Sequence, residues 1–209
     1  MTNSQDRAAA ARALEIPLDR DVFTRTLIRE LAGALEDVVG IEEASGYISN
    51  FGSAIGEQIN QDYRRAYEVS SLSREQVADV LVDLKRRIQG NFFIIEEHEE
   101  KIVLGNTACP FAEKVLGRRS MCMMTSNVFG HIAAENLGYG KVELQRTIAE
   151  GHPECRVVVY LRPTAEAETL RDGNISGAST NSDVCLLGPW LLAGAWCAPG
   201  DRGDVRRAT

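Results

Sequence analysis

The sequence predicts an α+β domain in which N-terminal helices pack against an antiparallel sheet. Three observations carry that prediction. Apolar residues recur at three- and four-residue steps through the first ninety positions, β-rich runs replace that period from Asn91, and a helical stretch after Ser120 separates two pairs of strands.

Each element has its own signal. The run Asp19 to Val38 carries Phe23, Leu27, Leu31 and Leu35 at four-residue steps, opens on Asp19 and Asp21, and meets Gly40 as a stop. A second run, with Ile41, Ala44, Ile48, Phe51, Ile55 and Ile59, is interrupted by Gly46, Gly52 and Gly56, which thin one face either for a tight helix pair or dimer seam or by simple tolerance. Ser73-Arg-Glu-Gln76 is a capping box for a third helix that buries Val77, Val80, Leu81, Leu84 and Ile88, keeps Lys85, Arg86 and Arg87 for its last turn, and stops at Gly90. Phe92 to Ile95 and Lys101 to Leu104 flank an acidic turn and read as a hairpin. The stretch through Met124, Val128, Ile132 and Leu137 regains helical spacing and ends at Gly138, after which Lys141 to Ile148 and Cys155 to Leu161 form a second strand pair.

Composition bounds the function. The 209 residues are 44% hydrophobic, enough for a core without staples. A net charge of -7 argues against phosphate-backbone binding. The helix-turn-helix reading fails as well, because the third helix carries its basic residues at its C-terminal end, whereas base-reading helices present their N-terminal residues. No apolar stretch approaches the roughly 18 to 20 residues of a membrane span, so no membrane role is expected. Five cysteines without scaffold spacing fit a reducing, cytoplasmic setting in which thiols are packed, metal-bound or redox-active.

Chemistry concentrates between Cys109 and Cys155. Cys109-Pro-Phe, Arg118, Met121-Cys-Met-Met-Thr-Ser-Asn127 and Ala133-Ala-Glu-Asn-Leu137 precede Gly151-His-Pro-Glu-Cys155-Arg-Val-Val-Val. These motifs resemble the methanogen output domain family, a relative of the four-vinyl-reductase type of small-molecule-binding domain, over roughly Asp19 to Leu161. The resemblance implies a mixed α/β fold shared with heme-based nitric oxide sensors and vesicle-tethering subunits, and a sensory or output role in signalling, often as a dimer. Zinc-binding relatives carry Glu-x-x-Cys-x-x-x-Gly-x-x-x-Cys. Here Gly151 and Cys155 match, while Leu144 and Thr147 stand where the glutamate and first cysteine belong.

The cysteines therefore have three readings. Cys109, Cys122, Cys155 and His152 would complete a Cys3His zinc or iron set on paper, although the close Cys-x2-Cys pairs of strong zinc sites are missing. Two thiols close together across the sheet would make a redox pair, and plain burial is the ordinary fate of a free cysteine. Phe92, Met123, Met124, Asn127 and Phe129 are the expected ligand-pocket residues, since Met adapts to guests and an amide can orient them. Glu135 and Asn136, on or near the same helix as Asn127, could orient a ligand in the same way or serve as caps. His131 without a motif does not support a heme, and Arg118-Arg119 reads as an anion holder or a solvated pair.

No catalytic constellation emerges, because phosphate loop, nucleophile elbow and paired carboxylates are all missing. A cysteine-dependent hydrolase or transferase is the minor alternative, as is a metal-bearing regulator. The expectation is a non-enzymatic cytoplasmic module that senses a small molecule or redox state and passes it to a signalling partner, with a homodimer formed through its N-terminal helices. Its domains read as an arm at 1–18, a sensory or output domain at 19–164 (helical over 19–90, α+β over 91–164), and an atypical tail at 165–209 that is disordered or a frameshift product.

Overall fold

The computed structural model describes residues 11–170. Helix α1 spans Arg20–Tyr67, with Asp19 as its cap accepting from the Val22 amide. Gly40 breaks it at φ 80°, ψ 160°, a conformation that only glycine adopts without strain, and the helix resumes at once. The predicted stop and restart are thus one kink with no loop. Helix α2, Arg74–Arg87, has the expected capping box, in which Ser73 Oγ accepts from the Gln76 amide and Gln76 Oε1 from the Ser73 amide.

Strands β1 (Phe92–Glu97), β2 (Lys101–Asn106), β3 (Lys141–Arg146) and β4 (Cys155–Tyr160) form one antiparallel sheet in the order β1-β2-β4-β3. Helix α3, Arg119–Leu137, links the two hairpins and ends on Gly138 at φ 82°. Strand β3 stops two residues sooner than its apolar pattern suggests. Thr147 caps a 3-10 turn at Ile148–Glu150 and accepts from the Glu150 amide.

Alternation along the strands sorts the sheet into two faces. Ile102 and Leu104 of β2, Val142 and Leu144 of β3, and Cys155, Val157 and Val159 of β4 join the main core with α2 and α3. Val103, Val158 and Tyr160 point the other way, onto Ala167 of the short helix α4, Ala165–Thr169. Thr164 caps α4, and Lys101 Nζ donates to Glu166 at 3.0 Å, which ties α4 to β2. The remainder of the predicted tail, 171–209, lies outside the described residues, as does most of the arm.

Helix α1 lies along α3, and glycines set the distance between them. A Cβ on Gly52 would stand 2.3 Å from Asn127 Cβ, and one on Gly56 would stand 3.0 Å from His131 Cβ. The close helix pair is therefore within the chain. Gly46 has open space around it and is merely tolerated.

Candidate functional site

A cavity of about 40 Å³ opens where the end of the sheet meets α2 and α3. That is room for about three waters, at roughly 10–15 Å³ of such space for each. Its floor is a single cross-strand row. Phe92 pairs with Asn106 and Asn106 with Cys155, so β1, β2 and β4 each send one side chain to the same level of the helix-facing side. Thr147, just past β3, and Leu144 continue the floor.

The roof comes from one stripe of α3. Cys122, Thr125, Ser126 and Phe129 are spaced i, i+3, i+4, i+7, the set that a helix presents to one neighbour. Cys109, Pro110 and Phe111, in the connection after β2, close one side, and Lys85 of α2 reaches in from another. Three thiols far apart in sequence thus line one small space.

Sulfur in this cavity is held and shielded. Cys155 Sγ accepts from the Ile148 amide at 3.4 Å and from Asn106 Nδ2 at 3.7 Å. Burial, reinforced by Cys109 and Cys155, pushes the Cys122 thiol up to about 12. Burial also raises that of Cys109. Both are protonated near neutrality, the reverse of what a nucleophilic or readily exchanging thiol needs.

Lys85 is the unusual member of the site. Its side chain is 2% exposed and its ammonium stands 4.9 Å from the Phe129 ring centroid and 5.4 Å from that of Phe92, rings that meet edge to face. No acceptor among the described residues takes a hydrogen bond from it. Burial lowers its pKa from 10.5 to about 8, against the smaller opposing effect of the three sulfurs.

Of the expected pocket residues, the structure brings Phe92 and Phe129 to the cavity together with Cys109, Cys122 and Cys155. Met123, Met124 and Asn127 do not line it. Met123 is buried in the main core, Met124 packs against core clusters, and Asn127 donates to the Met123 carbonyl at 2.8 Å beside Gly52. The Cys3His set is not assembled. His152 is exposed on the turn before β4, and among the described residues no group of three or more His, Cys, Asp or Glu side chains is arranged to hold a metal.

Other candidates have structural partners. His131 Nε2 lies 3.1 Å from Glu57 Oε2, Arg118 bonds Glu36 at 2.9 Å, and Arg119 bonds Glu150 at 3.0 Å. Asn136 Oδ1 accepts from Arg64 and from the Leu72 amide, tying α1 and the start of α2 to α3, and Arg64 also donates to the Glu135 carbonyl. Sequence reasoning missed Lys85, Asn106, Thr125, Ser126 and Thr147. Lys85 had a signal, since it lies four residues beyond Leu81 and eight beyond Val77, on the apolar stripe of its helix.

Fold and site define a mixed α/β domain built around a small, largely apolar cavity with one buried cation. A model of the methanogen output domain 1 family matches residues 27–160, and the chain belongs to that family. Among solved structures the chain is similar to the phenol-responsive sensory domain of the transcription activator PoxR with phenol, at TM-score 0.55 and 16% identity, over 76% of this chain and 80% of that one. It is also similar to a trafficking protein particle complex subunit 3 from Naegleria fowleri covalently bound to palmitic acid, at TM-score 0.47 and 12% identity, over 68% of this chain and 96% of that one. The first likeness shows the shared α+β fold. No curated protein matches the chain. Among the described residues, no helix is long and apolar enough to cross a membrane.

Proposed function

We propose that this domain is a non-enzymatic cytoplasmic sensory module that binds a small molecule in the cavity between α2, α3 and the sheet, and passes its occupancy to a partner. One observation carries the reading: Phe92, Asn106, Cys109, Cys122, Phe129 and Cys155, from four separate stretches of chain, converge on one cavity. Such a space, apolar with a few placed polar groups, suits ligand binding. The family match and the likeness to a sensory domain with phenol support it. The protonated state of Cys109 and Cys122 favours ligand sensing over thiol exchange and over cysteine catalysis.

Transmission runs through α1 in this reading, with a second copy as the immediate partner. Leu27, Leu31, Ala34 and Val38 recur at four-, three- and four-residue steps on the solvent side, with Leu31 67% and Val38 81% exposed. Their neighbours Ala32 and Leu35 face the core. A helix with a second apolar seam at this spacing suits a matching helix of another copy. Sedimentation should then give a dimer that Leu31→Lys converts to a folded monomer; a wild-type monomer at micromolar concentration would remove this part of the account.

The binding step is tested by thermal unfolding of the full chain with a panel of short-chain and single-ring molecules, neutral and charged. At least one should raise the midpoint of the wild type and not that of Cys122→Leu, which fills the cavity. A panel without effect on the wild type, or with equal effect on both proteins, overturns the reading.

A further inference from the structure

We infer that the cavity takes a small organic monoanion with an apolar body, a short-chain carboxylate, held by Lys85 as its counter-ion. The inference deepens the sensing reading and rests on it. Most polar groups on the cavity wall are paired within the fold. Asn106 Oδ1 accepts from the Asn91 and Ala108 amides and its Nδ2 donates to Cys155. Thr125 donates to the Cys122 carbonyl, Ser126 to the Met123 carbonyl, and Thr147 to Glu150. Each of these groups already has a partner.

Lys85 does not. Its three donors find no acceptor among the described residues, and the cavity wall includes no carboxylate. The titratable groups that face it are Cys109 from the connection after β2, Cys122 from α3 and Cys155 from β4, and two of these are held protonated. Phe92 and Phe129 offset part of the cost of the buried charge through their ring faces, but they offer no charge. A buried cation without an anion is costly, and a ligand anion is what removes that cost.

The rest of the wall sets the ligand's other end. Phe111, Leu144, Val157 and the thiols present hydrocarbon and sulfur, so a polyol, a nucleotide or a dicarboxylate would lose solvation without replacement. The cavity's small volume excludes long chains and aromatic rings.

Titration calorimetry of the full chain with propionate and butyrate, against propan-1-ol and butan-1-ol, tests this. Each is run on the wild type and on Lys85→Met between pH 6.5 and 9.5. The acids should bind the wild type, and Lys85→Met should weaken them about 10- to 100-fold while leaving the alcohols unchanged. Carboxylates stay ionised across this range, so their affinity should hold steady below pH 8 and fall about tenfold per pH unit above it, as Lys85 loses its proton. Acids and alcohols binding alike in both proteins would overturn the anion inference and leave the sensing reading standing. No binding by either class to the wild type overturns both. The wild-type pH series decides alone if Lys85→Met fails to fold.

Discussion

Asn106 and Cys155 face each other in the β2–β4 ladder, and the side-chain amide of the first donates to the sulfur of the second across 3.7 Å. The same asparagine accepts from two backbone amides, of Asn91 and Ala108, each at 3.2 Å. One buried side chain thereby fixes both the floor of the cavity and the start of the connection that carries Cys109.

Asn106→Ala should therefore be among the more damaging single changes. It leaves the partly buried Ala108 amide unsatisfied, leaves the Asn91 amide with the Ala108 carbonyl alone, and opens space beside Cys155, a loss of about 2–4 kcal/mol. Urea denaturation followed by circular dichroism measures it, and a loss under about 0.5 kcal/mol would mean that these bonds do not hold the floor.

Lys85→Met should raise the stability of the unliganded protein near neutral pH. The folded pKa of Lys85 is lowered from 10.5 to about 8, so between those values the unfolded chain binds more protons and stability rises with pH; below about 8 the penalty is fully present. Its size is on the order of 3 kcal/mol. The cavity thiols act in the opposite direction, since their raised folded pKa values cost stability once unfolded thiols ionise near pH 9. The difference between wild type and Lys85→Met, followed from pH 7 to 10.5, isolates the lysine and should shrink as pH rises. A constant difference would show that the ammonium is not buried unpaired.

Alkylation reports the thiols directly. With Cys122 at about 12, iodoacetamide at pH 8 should label it at least about a hundredfold more slowly than in the urea-unfolded chain, and the raised Cys109 should also be slowed. Peptide mass spectrometry over time checks this. Rapid labelling of Cys122 in the native protein would revive the cysteine-dependent enzyme.

Two glycines of the same helix should respond with opposite signs. Gly46→Ala gains helix propensity in open space and should stabilise by up to about 1 kcal/mol. Gly52→Ala drives a methyl into Asn127 Cβ, and the overpacking of α1 against α3 should outweigh that gain by about 1–3 kcal/mol. Thermal unfolding of the two variants side by side tests the pairing.

Much of the fold was legible because local signals agreed with the tertiary outcome. Ser73 and Gln76 announce their cap, Gly138 its left-handed stop, and the β-branched runs their strands. The gathering of Cys109, Cys122 and Cys155 was readable only as a hypothesis, since it depends on the strand order that places β4 beside β2. Met123 and Met124 misled because composition names adaptable side chains and not the face they occupy. The stripe that counts is set by Cys122, three, four and seven residues on. Lys85 was hidden by its chemistry, because a basic residue in the last turn of a helix suits the dipole so well that its place on the apolar stripe goes unnoticed.

Chemical-shift mapping of the isotopically labelled full chain during titration with butyrate locates the bound anion. The largest changes should surround Lys85, Asn106, Cys109, Cys122 and Cys155. Changes centred instead on a groove between α1 and the end of α2, lined by Ile59, Tyr63 and Ile88, or no changes at all, would rule out binding in the cavity.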